Sequence, residues 1–357
     1  MNSGDIVELR LHNQHLRGTP RANPEAVVGW LGAMQAQEFP VAKWSVAQRA
    51  DGIGDDSMDQ AFASGAILRT HILRPTWHFV LPADIRWMLK VSAPRVNALN
   101  AYQYRKLELD ENVLAHTDVL LAEALGGGEH LTRREIAGVL ARSGVNAEGL
   151  RLGYILMRAE LDGIVCSGIP QGKQQTYAGL DERAPEPDGR DRDEALIELT
   201  RRFFMSRGPA TLKDFLTWSS LTVAEGRAGL AGIGGDLISE EIEGRTYWFA
   251  DSAPKSSEPP GRIDLLQGYD EYIMSYKESR DVMWEESPPP ADLRAPVFTH
   301  ALVLDGRLVG HWRRVPQKGG AAIESSWYRP PDEAQSRSLT AAIERFGNFF
   351  GVPAAPL

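Results

Sequence analysis

The sequence has little cysteine and no long apolar run. Cys166 is the single cysteine among 357 residues, which excludes an internal disulfide framework and a cysteine-rich zinc site. No apolar stretch approaches the roughly 20 residues that a membrane-spanning helix needs. The first residues contain no apolar signal core. We therefore expect a protein of the reducing cytoplasm, with no membrane partner.

The common cofactor and nucleophile motifs are also absent. The sequence contains no glycine-rich phosphate loop ending in Lys-Ser/Thr, no His-Glu-x-x-His helix and no Gly-x-Ser-x-Gly elbow. The glycines from Ala231 to Gly235 lack the spacing of a dinucleotide fingerprint. His71 and His78 alone do not make a metal site without a thiolate cluster. These absences predict a protein that uses neither a cofactor nor a metal.

Positive charge is scarce overall but is not evenly distributed. The net charge is −9, which by itself argues against a nucleic-acid partner. The first 110 residues nevertheless hold 12 Lys and Arg against 11 Asp and Glu, so the acidic excess lies in the rest of the chain. The segment from Arg69 to His78 contains two arginines, two histidines and no acid. Net charge therefore leaves the class of partner open.

Length and composition predict a globular chain of several parts. With 43% hydrophobic and 24% charged residues the sequence is neither disordered nor fibrous, and its length exceeds that of one ordinary core. Segments 181–193 and 252–261 are charged or polar, rich in proline or glycine, and typical of linkers. A shorter break lies at Ser287 to Pro290. These segments predict blocks near 1–180, 194–251 and 262–357.

A repeated pattern divides the first two blocks further. Thr132 and Glu135 form a capping-box pattern before an apolar helix, and Thr211 and Asp214 repeat this layout. Each capped helix is followed by a second helical pattern and then by two strand candidates, which is the layout of a winged helix-turn-helix. The first 110 residues show a weaker version of the same plan. Chance recurrence of helix and hairpin patterns is the alternative explanation.

The last block has a different character. Three strand candidates, the Asp305-Gly306 pair between two apolar runs and a closing amphipathic helix from Ser336 to Phe350 indicate a small antiparallel sheet with one helix. The predicted fold class is therefore α+β: tandem winged helix-turn-helix modules at 1–110, 111–180 and 194–251, followed by an antiparallel β-rich domain at 262–357.

Two glutamines form the most suggestive polar motif. Val27, Leu31 and Met34 give the buried stripe of a helix from Pro24 to Met34, and this helix should end before Pro40. Gln35 and Gln37 would then lie at a helix terminus, where both amides could turn to the same side beside an open cleft. The alternative is that they only cap the helix end.

Three further segments each allow two interpretations. Thr76 and His78 share one face of a predicted strand, next to Arg69 and Arg74, so this face either touches phosphates or is half-exposed without a ligand. Asp270 and Glu271 are adjacent and face apart, which favours a solvated or salt-bridged connection over an acid–base pair. The pair Arg313-Arg314 either grips a backbone phosphate or caps an edge strand.

Four segments resemble the AlkZ/YcaQ-like winged-helix DNA glycosylases. They are spread in order along nearly the whole chain, at positions 31–37, 68–78, 268–272 and 301–310. The family has tandem winged helices and a small β-rich C-terminal domain. It excises N-alkylated purines, in some members including bases joined in interstrand crosslinks. Its catalytic motif is Gln-x-Gln or Gln-x-Asp, and the resemblance implies this role for Gln35 and Gln37.

The chemistry of such a site is consistent with neutral amides. Glutamine has no titratable group near neutral pH and cannot act as a general base, but its carbonyl oxygen can hold a water. The resemblance implies a metal-free glycosylase with double-stranded DNA as partner. The predicted DNA-binding residues are Lys43, Arg49, Arg69, Arg74, Thr76, His78, Arg313 and Arg314. The rival hypothesis is a non-catalytic, regulatory DNA-binding protein.

Overall fold

A computed structural model describes residues 1–184, 189–250, 259–285 and 300–357. The chain mixes helices with sheets that are almost entirely antiparallel, as expected. Most of the predicted break at 252–261 and all of that at 287–290 lie outside the described residues. Among the helices that the structure describes, none is both long and apolar enough to cross a bilayer.

The first part of the chain consists of short helices around a three-stranded sheet. Its elements are α1 (Ser3–Asn13), α2 (Pro24–Leu31), β1 (Ala33–Gln35), α3 (Phe39–Ala47), α4 (Asp55–Ser64), β2 (Leu68–His71) and β3 (Trp77–Val80). The strands pair antiparallel in the order β1-β3-β2. The predicted helix from Pro24 to Met34 is shorter than expected, because Gly32 adopts a φ of 75° and ends it at Leu31.

A long helix, α5 (Pro82–Lys106), leads from the first part to two further units. The second unit contains α6 (Glu111–Ala124), β4 (Leu131–Thr132), α7 (Arg133–Arg142), α8 (Gly149–Leu161), β5 (Val165–Ser167), β6 (Thr176–Gly179) and α9 (Leu180–Arg183). The third contains α10 (Arg192–Arg207), β7 (Ala210–Thr211), α11 (Leu212–Ser219), α12 (Val223–Ile233), β8 (Ile238–Ile242) and β9 (Arg245–Phe249).

The second and third units share one plan. Both predicted capping boxes are present, Thr132 with Glu135 and Thr211 with Asp214. In each, the threonine hydroxyl accepts from the backbone N–H three residues later, and the carboxylate of that residue accepts from the backbone N–H of the threonine. Their sheets have the strand orders β4-β6-β5 and β7-β9-β8. These orders match β1-β3-β2, so one strand topology recurs three times along the chain.

The last part is built on a five-stranded sheet. Its elements are β10 (Ile263–Leu266), α13 (Glu271–Met274), β11 (His300–Leu304), β12 (Arg307–Gln317), β13 (Gly320–Trp327), α14 (Glu333–Phe350) and β14 (Ala354–Pro356). Neighbouring strands follow the chain order, and all pairs are antiparallel except β13 with β14. The Asp305-Gly306 pair forms the predicted turn, with φ values of 44° and 80° that glycine and aspartate tolerate.

The parts do not each have a separate core. Helices α2, α3 and α4 of the first part pack against the five-stranded sheet and α14 in one apolar cluster, where Trp44 contacts Phe346 and Phe349. A second cluster joins the first part to the third unit and to α13. Among the described residues, a third apolar cluster lies wholly within α5 and the second unit, with members from Tyr104 to Tyr177. The first part is therefore held in place by its neighbours.

A buried ion pair reinforces the contact between the first and last parts. The Arg49 guanidinium donates to both carboxylate oxygens of Asp270, at 2.7 and 2.9 Å, and to the side chain of Gln14 at 3.1 Å. Both side chains are fully buried. Of the two alternatives left for Asp270, solvation or a salt bridge, the structure has the salt bridge. Arg49, which was predicted to bind DNA, has no exposed surface for a phosphate and instead connects the segment after α3 to the N-cap of α13.

We expect Arg49→Met to lower the free energy of unfolding by about 3–5 kcal/mol, because it leaves the Asp270 carboxylate buried without its cation. Arg313→Met is the matched control. The Arg313 side chain is largely exposed and that of its partner Glu324 is partly exposed. The effect of Arg313→Met on the free energy of unfolding should therefore stay within about 1 kcal/mol. Urea unfolding of both variants measures the difference. Equal, small effects would contradict the structural role assigned to Arg49.

Candidate functional site

The Gln-x-Gln segment does not continue α2: Gln35 ends the edge strand β1, and Gln37 lies in the short bend between this strand and α3. Gln35 is the last residue of β1 and pairs with His78 of β3, and the Ala36 amide continues the ladder by donating to the carbonyl of Trp77 at 2.7 Å. Because Gly32 ends α2 and begins this extended stretch, the helix-end geometry expected from the sequence is wrong.

The two amides contact the same hairpin. The Gln35 Oε1 atom accepts a hydrogen bond from Arg74 at 2.7 Å, and the Gln37 Oε1 atom accepts from the backbone amide of Trp77 at 3.4 Å. Arg74 lies in the connection between β2 and β3, and Trp77 begins β3. Gln35 is only 3% exposed, whereas Gln37 is half-buried. Gln35 therefore does not lie beside an open cleft, as was expected of both amides, and for Gln37 this position stays a prediction.

A buried carboxylate holds the backbone of this segment. The Gln35 amide donates to Glu271 Oε1 at 2.8 Å, while Glu271 Oε2 accepts from Arg207 at 2.6 Å and from the Trp218 indole at 2.8 Å. Arg207 in turn donates to the carbonyls of Leu31 and Ala33, at 2.7 and 2.8 Å. Burial alone would raise the pKa of Glu271, but Arg207 and Arg74 lower it below its usual value. The carboxylate is therefore charged.

Arg74 and His78 form the inner side of the site. Arg74 donates to Gln35, to the Trp218 carbonyl at 3.0 Å and to His78 Nε2 at 3.2 Å. The His78 Nδ1 atom faces the Thr76 carbonyl at 2.9 Å, so Nδ1 carries the proton and Nε2 accepts. Burial first, and then the Arg74 charge, lower the pKa of His78 well below its usual value. His78 is neutral at physiological pH.

These placements correct part of the predicted DNA-binding set. His78 is fully buried and Arg74 directs its guanidinium inward, because the Thr76–His78 face packs against Gln35 and the third unit instead of solvent. Thr76 is half-buried. Lys43 is 4% exposed and pairs with Asp55 and Asp59 at 2.6 and 2.7 Å. A direct phosphate contact by Arg74, His78 or Lys43 is not available in this arrangement.

Arg69, Arg313 and Arg314 lie in two different places. The Arg69 guanidinium stacks on the Trp77 ring at 4.3 Å and donates to the Ala36 carbonyl at 3.0 Å, so it contacts the Gln-x-Gln segment. Arg313 and Arg314 are exposed on β12 of the five-stranded sheet, where Arg313 pairs with Glu324. The structure thus brings Arg69 to the glutamines and leaves the other two on a separate element.

A basic cleft opens beside Arg69 and Trp77. It has a volume of about 640 Å³ and lies between the first part and the second unit. Two exposed arginines at the start of α7, Arg133 and Arg134, line its opposite wall together with Tyr177. Neither arginine was among the residues predicted to bind DNA. The sequence feature that could have indicated them is the pair of adjacent arginines directly after the helix cap Thr132.

No cluster of three or more His, Cys, Asp or Glu side chains suited to a metal occurs in the described ranges.

A family model described as "DNA glycosylase AlkZ-like" matches residues 28–349, which is most of the chain. The chain belongs to the AlkZ-like DNA glycosylase family. Membership supports a glycosylase activity, which is a hydrolase reaction on DNA.

Two relatives from Streptomyces sahachiroi agree with this assignment of the AlkZ-like chain. The interstrand DNA cross-link repair glycosylase is 28% identical over 336 residues, which cover 88% of this chain and 88% of the relative. The solved structure of DNA glycosylase AlkZ matches with a TM-score of 0.82 and 21% identity over 100% of both chains. At that identity the structural match shows a common fold.

We expect Glu271→Gln to lower the free energy of unfolding by about 3–5 kcal/mol near neutral pH, since Arg207 loses its buried counter-charge. The pKa of Glu271 is lower in the folded protein than its ordinary 4.5, so its stabilisation is present above that pH and is lost as pH falls. The difference between wild type and variant should therefore shrink on acidification from about pH 6 to about pH 3.

Glu333→Gln serves as the control for this measurement, because the Glu333 side chain is 96% exposed. Its unfolding free energy should follow that of the wild type at every pH. A difference between wild type and Glu271→Gln that stays constant across the range would contradict the assignment of a charged, ion-paired Glu271.

Proposed function

We propose that this AlkZ-like protein hydrolyses the N-glycosidic bond of N7- or N3-alkylated purines in double-stranded DNA. The observation that carries the proposal is the Gln-x-Gln segment, whose backbone is held by Glu271 and Arg207 and which Arg69 and Trp77 of the basic cleft contact through hydrogen bonds. Similarity to the interstrand DNA cross-link repair glycosylase of Streptomyces sahachiroi extends the proposed substrates to bases joined in interstrand crosslinks.

The architecture proposed for this function has four parts. The recurring strand order, together with the capped helices, supports winged-helix modules at 1–110, 111–180 and 194–251. The five-stranded sheet with α14 supports a β-rich domain at 262–357. In a winged helix the short strands and the helix next to them present side chains to the DNA backbone. The basic cleft lies between two such modules.

The reaction needs no general base of high pKa. An N7- or N3-alkylated purine is already a cation and departs as a neutral base, so the leaving group requires no proton. The deoxyribose passes toward an oxocarbenium ion, which amide oxygens stabilise through their dipoles. A water positioned by an amide carbonyl attacks the anomeric carbon, and its proton passes to solvent. Neutral glutamines suit this labile, cationic substrate.

The structure suggests different roles for the two glutamines. The more exposed Gln37 positions the attacking water, since among the described residues its side chain makes a single, long hydrogen bond, to the Trp77 amide. Gln35 is buried and its Oε1 atom is engaged by Arg74. From this buried position its carbonyl dipole stabilises the developing cation, and the Glu271 carboxylate offsets the charges of Arg207 and Arg74.

One observation favours the rival function, a non-catalytic DNA-binding protein. The Gln35 side chain is almost completely buried, and no carboxylate among those described makes a hydrogen bond to either glutamine side chain. Incubation with alkylated duplex DNA, followed by alkali, separates the two functions. Strand breaks at alkylated positions support the glycosylase, whereas intact DNA with a sequence-specific mobility shift supports the regulator.

Gln37→Ala should abolish release of N7-methylguanine, with a loss of about 100-fold or more in single-turnover rate, because the attacking water is no longer positioned. Affinity for the DNA should stay near that of the wild type, since the residue makes no phosphate contact in the proposal. Gln60→Ala, at an exposed site on α4, is the matched control and should keep the wild-type rate. Equal rates for Gln37→Ala and wild type would refute the assignment.

Arg133→Gln should weaken binding to duplex DNA of any sequence and reduce the slope of log Kd against log salt by about 1. The reason is that one phosphate contact in the basic cleft, with its released counterion, is lost. Arg337→Gln, on the exposed face of α14, is the control and should keep the wild-type slope. Fluorescence anisotropy at several salt concentrations measures both. A wild-type slope near zero would argue for a partner other than DNA.

A further inference from the structure

A second pocket begins at the residue that follows Gln37. It has a volume of about 310 Å³, the size of a flat heterocycle with room for a substituent, and lies between the start of α3 and the three inner strands of the last sheet, β11, β12 and β13. Its lining includes Glu38, His300, Trp312, Arg313 and Glu324. Neither the Gln-x-Gln chemistry nor the basic cleft uses this pocket.

Glu38 provides a negative charge at the rim of the pocket. Its side chain is 49% exposed, and although it occupies the N-cap position of α3 it makes no capping hydrogen bond. Among the described residues the nearest basic group to its carboxylate is the His300 ring, with Nε2 at 4.0 Å from Oε2. The carboxylate therefore has free acceptor capacity for a ligand.

His300 is held as a neutral hydrogen-bond donor. Its Nδ1 atom accepts from the backbone amide of Gly268 at 3.2 Å, so in the neutral ring the proton lies on Nε2 and points toward Glu38. Burial lowers the pKa of His300, although the Glu38 charge acts in the opposite direction. The ring stacks on Trp312 at 4.6 Å, and the Trp312 indole is fixed by the Leu266 carbonyl.

The other carboxylate in the pocket, that of Glu324, is already paired with a guanidinium. Glu324 lies opposite Arg313 in the β12–β13 pair and accepts two hydrogen bonds from its guanidinium, at 2.5 and 2.8 Å. Glu38 thus remains the one pocket carboxylate without a guanidinium or ammonium partner in the described part of the chain. Its acceptor oxygens and the Nε2–H donor of His300 stand side by side.

We propose that this pocket binds the purine whose glycosidic bond is cleaved and that Glu38 and His300 select guanine. The carboxylate accepts from N1–H and the N2 amino group, and His300 Nε2–H donates to O6. This inference rests on the proposed glycosylase function and adds a specificity-determining pair to it. Glu38 directly follows Gln37 in the chain, so a base held by Glu38 lies one residue away from the water-positioning amide.

The chemistry favours alkylated guanine over the alternatives. An adenine edge offers the carboxylate only one donor, the N6 amino group, where guanine offers two. Alkylation at N7 makes the guanine cationic and its N1–H more acidic, which strengthens a hydrogen bond to a carboxylate. One charge-assisted hydrogen bond of about 1.5 kcal/mol corresponds to roughly tenfold discrimination.

Release of bases from dimethyl sulfate-treated DNA tests the proposal in one reaction, because that DNA contains both N7-methylguanine and N3-methyladenine. We expect Glu38→Gln to lower the ratio of released methylguanine to methyladenine by about tenfold. Glu324→Gln, which removes a carboxylate of the same pocket that is already paired, should keep the ratio within about twofold of wild type. An unchanged ratio in Glu38→Gln, or an equal fall in both variants, would overturn it.

A binding measurement keeps the proposal separate from the excision activity. Titration with 7-methylguanosine, followed by tryptophan fluorescence or ligand-observed NMR, should show binding about tenfold tighter for wild type than for Glu38→Gln, with adenosine weaker for both. If wild type releases no base but shows this difference, the proposed function fails and the guanine-selective pocket stands. Equal affinity of wild type and Glu38→Gln for 7-methylguanosine would refute the pocket itself.

Discussion

The buried carboxylate of Glu271 joins three regions of this chain that are far apart in the sequence. It accepts hydrogen bonds from the Gln35 amide, from Arg207 and from the Trp218 indole. A charge in such surroundings is costly unless every acceptor position is satisfied, and here the donors come from β1, α10 and α11. The strand that carries Gln35 is consequently fixed by its backbone. The position of the candidate site follows from this contact.

Most of the arginines near the site serve the interior of the protein. Arg49 and Arg207 are fully buried in ion pairs with the adjacent acids Asp270 and Glu271, and Arg74 connects Gln35 to the third unit. These cations cannot release counterions from DNA. In the proposal, the electrostatic contribution to DNA binding falls instead to exposed arginines such as Arg133 and Arg134, which give an acidic protein a local basic surface.

The proposed chemistry separates neutral from charged groups. In the proposal, the neutral amide of Gln37 faces the sugar, where a cation develops during the reaction, while Gln35 lies buried behind it. A carboxylate at Glu38 faces the base, where the positive charge of the lesion resides beforehand. His300 and His78 are both neutral because burial lowers the pKa of each ring. The proposed site would thus distinguish a cationic lesion from an ordinary nucleotide without a titrating residue at its centre.

The sequence by itself determined the local features of this protein. The capping boxes at Thr132 and Thr211, the Asp305-Gly306 turn and the amphipathic stripe of α14 each depend on residues a few positions apart. They were therefore predictable, whereas for Asp270 and Glu271 the sequence left solvation and salt bridges open as alternatives. The Gln-x-Gln motif, its family resemblance and the compatible chemistry were also available from the sequence.

Only the tertiary structure decided which side chains face solvent and which partners they meet. Arg49 and His78 were predicted to touch DNA, but their partners lie in other parts of the chain and enclose them. Likewise the Gln35 segment became a strand, because Gly32 ends the helix early and Arg207 and Glu271 hold the backbone beyond it. Burial depends on contacts between distant segments, and no local pattern in the sequence encodes those contacts.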